Sequence, residues 1–74
     1  MELEQKKAAI EAILFAAGRE IKINELMAIL ELSSDEVISI VNSMQDEYKE
    51  ASRGIEIIKV EDGYQLATKK EMYE

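Results

Sequence analysis

The sequence predicts an α+β fold in the order helix, short strand, helix, helix, β-hairpin, and three observations carry that prediction. Apolar residues recur at helical period over Leu3 to Ala17 and again from Val37 to Tyr48. Ser33 and Glu36 stand at capping-box spacing just ahead of the second of these runs. Near the end, two segments rich in apolar residues flank Asp62-Gly63, a pair that favours a two-residue hairpin turn because both positions tolerate positive φ.

The first helix spans Leu3 to Ala17. At 100° per residue Leu3, Ile10, Ile13, Leu14 and Ala17 share one face, with Lys6 and Lys7 on its flanks. Ala8, Ala12 and Phe15 fall on the opposite face. The stripe reads either as core, covered by the hairpin on that side, or as a dimer seam. Gly18 is placed to end the helix in the left-handed conformation. Arg19 to Ile23, with β-branched Ile21 and Ile23, reads as a brief strand or extended connector. Asn24 is a good N-cap for a second helix from Glu25 to Glu31. There Leu26, Ile29 and Leu30 supply the buried face, and Met27 points away from it.

The third helix starts at the Ser33–Glu36 box and runs to about Ala51. Val37, Ile40, Val41, Met44 and Tyr48 line its core face, and Ile38 sits to one side. Arg53-Gly54 breaks it. Ile55 to Val60 and Tyr64 to Thr68 are the two strands of the hairpin. This element order is that of a winged helix-turn-helix, with helices two and three as the helix-turn-helix and the hairpin as the wing. No internal repeat or flexible linker is visible. Lys69 to Glu74 follows a strand without a turn signal, so the 74 residues read as one domain and as a fragment of something longer.

Composition narrows the function. The chain has no cysteine and no histidine, which removes disulfides, thiolates and the commonest general base and metal ligand. No phosphate-binding loop, dinucleotide fingerprint or zinc spacing is present. The carboxylates fall on exposed wheel positions or at helix starts, where they are solvated or complement the helix dipole. A non-catalytic role without a cofactor or metal is the expectation. The longest stretch free of charge, Val37 to Gln45, is too short to span a bilayer, and no signal peptide is visible at the N-terminus. The chain is therefore expected to work in the cytoplasm, away from membranes.

A winged helix invites a DNA-binding role, and the charge argues against it. Nine basic against 16 acidic residues leave a net charge of −7, which repels phosphates. The third helix carries Asp35, Glu36, Asp46, Glu47 and Glu50 against Lys49 alone, and Asn42, Gln45 and Lys49 are its few groups suited to a base edge or phosphate. The wing tip, Glu61-Asp62-Gly63, is acidic too. The residues left to explain are apolar ones off the core faces: Met27, Ile38, and one face of the hairpin. Ile55 and Ile57 point one way there, Ile58 and Val60 the other, and only one of the two faces can cover the core. Met27, Ile38, Ile55, Ile57, Ile58 and Val60 are the candidate protein-contact residues, and a thin core in a small domain favours pairing with a second copy.

The run from Ile10 to Lys70 resembles the N-terminal domain of the ScpB family, segregation and condensation protein B. The specific parts are Glu11-Ala12-Ile13-Leu14-Phe15-Ala16-Ala17-Gly18, Arg53-Gly54-Ile55-Glu56-Ile57 and Gly63-Tyr64-Gln65-Leu66-Ala67-Thr68-Lys69. The family often carries a proline shortly after that first glycine, where this chain has Ile21. The resemblance implies two winged-helix domains in the full protein and a homodimer formed largely through the first. It implies binding of the kleisin ScpA, which bridges the heads of the SMC ATPase, and a role in chromosome condensation and segregation. ATP hydrolysis would belong to SMC. Two alternatives are a winged-helix transcriptional regulator that reads DNA with its third helix, and a structural winged helix in another assembly.

Overall fold

The structure, a computed structural model, describes residues 2–50 and 53–69. It comprises α1 (Leu3–Ala17), β1 (Ile21–Lys22), α2 (Ile23–Leu30), α3 (Ser34–Glu50), β2 (Ile55–Val60) and β3 (Gly63–Thr68). The three strands form one antiparallel sheet in the order β1-β3-β2. This is the expected α+β winged helix, with α2–α3 as the helix-turn-helix and β2–β3 as the wing. The expected end of the third helix at Ala51 lies outside the described residues, as does the tail beyond Lys69.

α1 has the expected bounds. Gly18 adopts φ 63°, and its N–H bonds back to the Leu14 carbonyl at 3.4 Å. Ile10 and Leu14 are fully buried, whereas Leu3, at the start of the same stripe, is half-exposed. Lys7 is buried on this helix instead: its stem lies against the core and its ammonium pairs with Glu47 at 2.6 Å.

α2 departs from expectation. β1 stops at Lys22, so Ile23 joins the helix and Lys22, not Asn24, occupies the cap position. Ile23, Leu26, Met27 and Leu30 then form an i, i+3, i+4, i+7 stripe. Met27 therefore packs against the core rather than pointing away, and Ile29, outside that arc, is 57% exposed. At the start of α3 the capping box forms as expected. Ser33 Oγ accepts from the Glu36 N–H and Glu36 Oε1 accepts from the Ser33 N–H, both at 3.2 Å. Val37, Ile40, Val41, Met44 and Tyr48 are all buried in the core with Ile10, Leu14, Ile21, Leu26, Ile57 and Tyr64.

The hairpin is real, but its turn lies one residue earlier than expected. Val60 pairs with Gly63, so the turn residues are Glu61 and Asp62, and Glu61 takes the positive φ of 52°. Gly63 begins β3 and is glycine for a different reason. A Cβ there would lie 2.5 Å from the Ile21 carbonyl oxygen, because β1 runs directly alongside through the Ile21–Tyr64 and Lys22–Gly63 pairs. Register places Ile55 and Ile57 on the inner face with Leu66 and Thr68, and Ile58 and Val60 on the outer face with Gln65 and Gly63. Ile57, expected among the contact residues, is 5% exposed and belongs to the core.

Candidate protein-interaction surface

The Ala8–Ala12–Phe15 face of α1 is not covered by the hairpin. Ala8 and Ala12 are exposed, and Phe15 is 79% exposed, more than any other large apolar side chain among the described residues. The core interpretation of this stripe is overturned. The cause is the docking of the wing: β2 packs mainly on α3, and of the two wing strands it is β3 that approaches α1. The inner face of the hairpin is thus well covered at Ile57 and Tyr64 but only half-covered at Ile55 and Leu66. The uncovered ends of these two side chains and the helix face between them enclose a groove. One part, of about 240 Å³, is lined by Glu11, Ala12, Phe15, Ile55 and Leu66. A second part, of about 280 Å³, shares Phe15, Ile55 and Leu66 and reaches past Gly18 to Ala67 and Thr68.

Beside the groove a polar cluster fixes α1 against α3 and the base of the wing. The Tyr48 hydroxyl donates to Glu11 Oε2 at 2.5 Å, Arg53 lies 3.8 Å from the same oxygen, and its guanidinium stacks 4.6 Å over the Tyr48 ring. The Lys69 ammonium, itself buried, donates to the Tyr48 carbonyl. Burial, and then the hydrogen bond to Glu11, pushes the Tyr48 phenol up to about 12. The Lys7 ammonium is held above its usual range, chiefly by its hydrogen bond to Glu47. Every one of these shifts favours the form that the ion pair or burial already requires. The cluster ties α1 to α3 and to the base of the wing. Among the described residues no group of acidic side chains could hold a metal ion.

The remaining contact residues from the sequence are dispersed. Ile38 on α3 and Ile58 on the outer face of the wing are each 37% exposed, and Val60 is half-buried beside Ile58's strand end. Ile55 is half-buried and lines the groove; Met27 and Ile57 face inward. Sequence reasoning missed Leu66 at the groove and the exposure of Leu3 and Ile29. The position of Phe15, opposite Ile10 and Leu14 on the wheel, was the available signal. α3 is poorly equipped for nucleic acid. Gln45 donates to the Ile57 carbonyl at 3.0 Å and is committed to the fold, which leaves Asn42 and Lys49 exposed among acids. No helix among the described residues is long and apolar enough to cross a membrane.

Comparison with known proteins gives this surface its context. Residues 8–74 match the family model of the segregation and condensation complex subunit ScpB. The chain belongs to the ScpB family. Segregation and condensation protein B of Clostridioides difficile is 45% identical over the whole of this chain, which covers 42% of that protein. The chain spans about 40% of the length of the curated relatives it matches. Among solved structures, a dimer of a ScpB N-terminal domain complexed with a ScpA peptide superposes with a TM-score of 0.88. It is 36% identical and covers 93% of this chain and 86% of that one. ScpB from Mycobacterium tuberculosis shares the fold, with a TM-score of 0.90 at 21% identity, over 97% of this chain and 45% of that one.

Proposed function

We propose that this chain is the first of two winged-helix domains in a ScpB protein. It acts without catalysis, as a homodimerising scaffold that binds the kleisin ScpA and, through it, SMC. It would do so in the cytoplasm, at the nucleoid, during chromosome condensation and segregation. The observation that carries this reading is the 36% identical domain crystallised as a dimer with a ScpA peptide, whose fold this chain reproduces over nearly its full length. The share of each relative's length that the chain spans agrees with one domain of two. A surface with exposed apolar side chains, an acidic helix in the recognition position and no reactive group supports a binding role over a catalytic or DNA-reading one.

Within this reading, Ile38, Ile58 and Val60 are the apolar side chains that α3 and the outer face of the wing offer to ScpA. Calorimetric titration of the chain with a ScpA peptide tests the proposal. Saturable binding, in the micromolar range or weaker for one domain alone, is expected. Absence of heat and of any shift in melting temperature at millimolar peptide would refute it.

A further inference from the structure

We propose that the dimple between the first turns of α1 and α3 docks a basic segment of a second protein, which inserts an apolar side chain and sets an arginine or lysine beside it. The dimple, of about 320 Å³, is lined by Leu3, Lys6, Asp35, Glu36, Ser39 and Ile40. Ile40 belongs to the core and closes the floor, while Leu3, 52% exposed, forms an apolar outer wall. The site lies on the α1 side of α3. At 100° per residue Ile38 and Gln45 fall on the opposite flank, where Gln45 bonds to the wing at Ile57. The dimple is therefore separate from the Phe15 groove and from the Ile38 face, and a protein bound at either leaves it free.

Charge decides the occupant. Glu2 caps α1, and Asp35 and Glu36 stand in the first turn of α3. Against these three carboxylates are Lys6 and the two helix dipoles, each worth about half a positive charge, so this end of the molecule stays negative. With a net charge of −7 overall, it repels nucleic acid, an anionic lipid surface and a second copy of the chain, and draws in a cationic protein segment. Glu36 is the fixed acceptor. Its Oε1 is held by the Ser33 N–H and hydroxyl, both at 3.2 Å, and those bonds keep the carboxyl below its usual range and charged at neutral pH. Its Oε2 faces Lys6 at 4.0 Å, the outer limit of an ion pair, and Asp35 beside it is exposed. An incoming guanidinium or ammonium at hydrogen-bond distance would bind Oε2 better than Lys6 does.

The probe is a short synthetic peptide with one leucine between two pairs of arginines, titrated into the isotope-labelled chain at one fixed chain concentration and followed by backbone amide NMR shifts. It should saturate with a Kd below about 1 mM and move the amides of Leu3, Lys6, Ser39 and Ile40 most. Serine in place of the peptide's leucine should weaken binding at least about tenfold, the least that burying one leucine is worth. Glutamates in place of its arginines should abolish binding. In the chain, Leu3→Ser should weaken the complex about fivefold, since about half of that side chain remains to be buried. Glu36→Gln should weaken it about threefold. Glutamine serves a capping box as glutamate does, so helicity by circular dichroism should be unchanged and the loss assigned to charge. Shifts confined to the Phe15 groove or to Ile38 and the wing would overturn the site. Equal binding of the glutamate peptide, unchanged affinity of Leu3→Ser, or no saturable shift at several millimolar peptide would also overturn it.

Discussion

Gly63 offers a sharp test of how the wing is anchored. Its ideal Cβ would sit 2.5 Å from the Ile21 carbonyl oxygen, 2.9 Å from that carbonyl carbon and 3.0 Å from Glu20 Cγ. The first two are backbone atoms, so the clash cannot be relieved by turning a side chain. β1 must move off β3, loosening two residue pairs and the nearby bond from the Ile23 N–H to the Asp62 carbonyl at 2.9 Å. Forced overpacking of this kind costs roughly 1–3 kcal/mol. A 74-residue domain has only about 4–11 kcal/mol in total. Gly63→Ala should therefore lower the melting temperature by roughly 5–20 °C. Gly63→Asn is the informative companion. Asparagine tolerates positive φ, so it would be accepted if Gly63 were a left-handed turn residue. Here the left-handed residue is Glu61, and asparagine brings the same Cβ against Ile21. Both variants should fall together in urea unfolding at one fixed protein concentration, since association and stability are linked. Asparagine within about 0.5 kcal/mol of wild type, with alanine destabilised, would refute the close-approach account.

Three further outcomes follow from the same geometry. Tyr48 is raised to about 12 from 10.0, so its contribution to stability is complete below pH 10 and is lost as pH climbs to about 12. Wild type should shed about 2 kcal/mol more than Tyr48→Phe across that window, read from urea midpoints, and equal losses would remove Tyr48 as the cause. Ile38→Glu should keep its helicity and its self-association but weaken ScpA binding at least about tenfold; a melted variant would return Ile38 to the core, and unchanged affinity would remove it from the contact. Duplex DNA near physiological salt should bind no more tightly than roughly 10⁻⁴ M, and a sequence-selective submicromolar complex would restore the regulator alternative.

Much of the fold was legible because local signals agreed with one another. Gly18 ended α1, Ser33 and Glu36 capped α3, and Val37 to Tyr48 repeated at a period only a helix could satisfy. The departures arose where one residue had two uses. Ile23 reads as strand by its branching, yet it completes the buried stripe of α2, which turns Met27 in and Ile29 out. Gly63 reads as a turn residue by its neighbour Asp62, while its conformation is set by β1, distant in sequence. Phe15 was the costliest ambiguity for the site. A wheel shows that α1 is apolar on two sides, but whether the second side is covered depends on the angle at which the wing docks. Leu66 was invisible as a contact residue for the same reason: alternation places it on the inner face, and only packing shows that the face is incompletely covered there.

The central claim is that this is a self-associating domain that offers ScpA a dimer. The most direct measurement is the molar mass in solution by light scattering, at a few micromolar and at several hundred micromolar, with and without the ScpA peptide. At the higher concentration the mass should reach twice the 8.4 kDa of one chain, and with peptide it should rise further without falling apart into single chains. A mass of one chain at every concentration, unaltered by the peptide, would contradict the account.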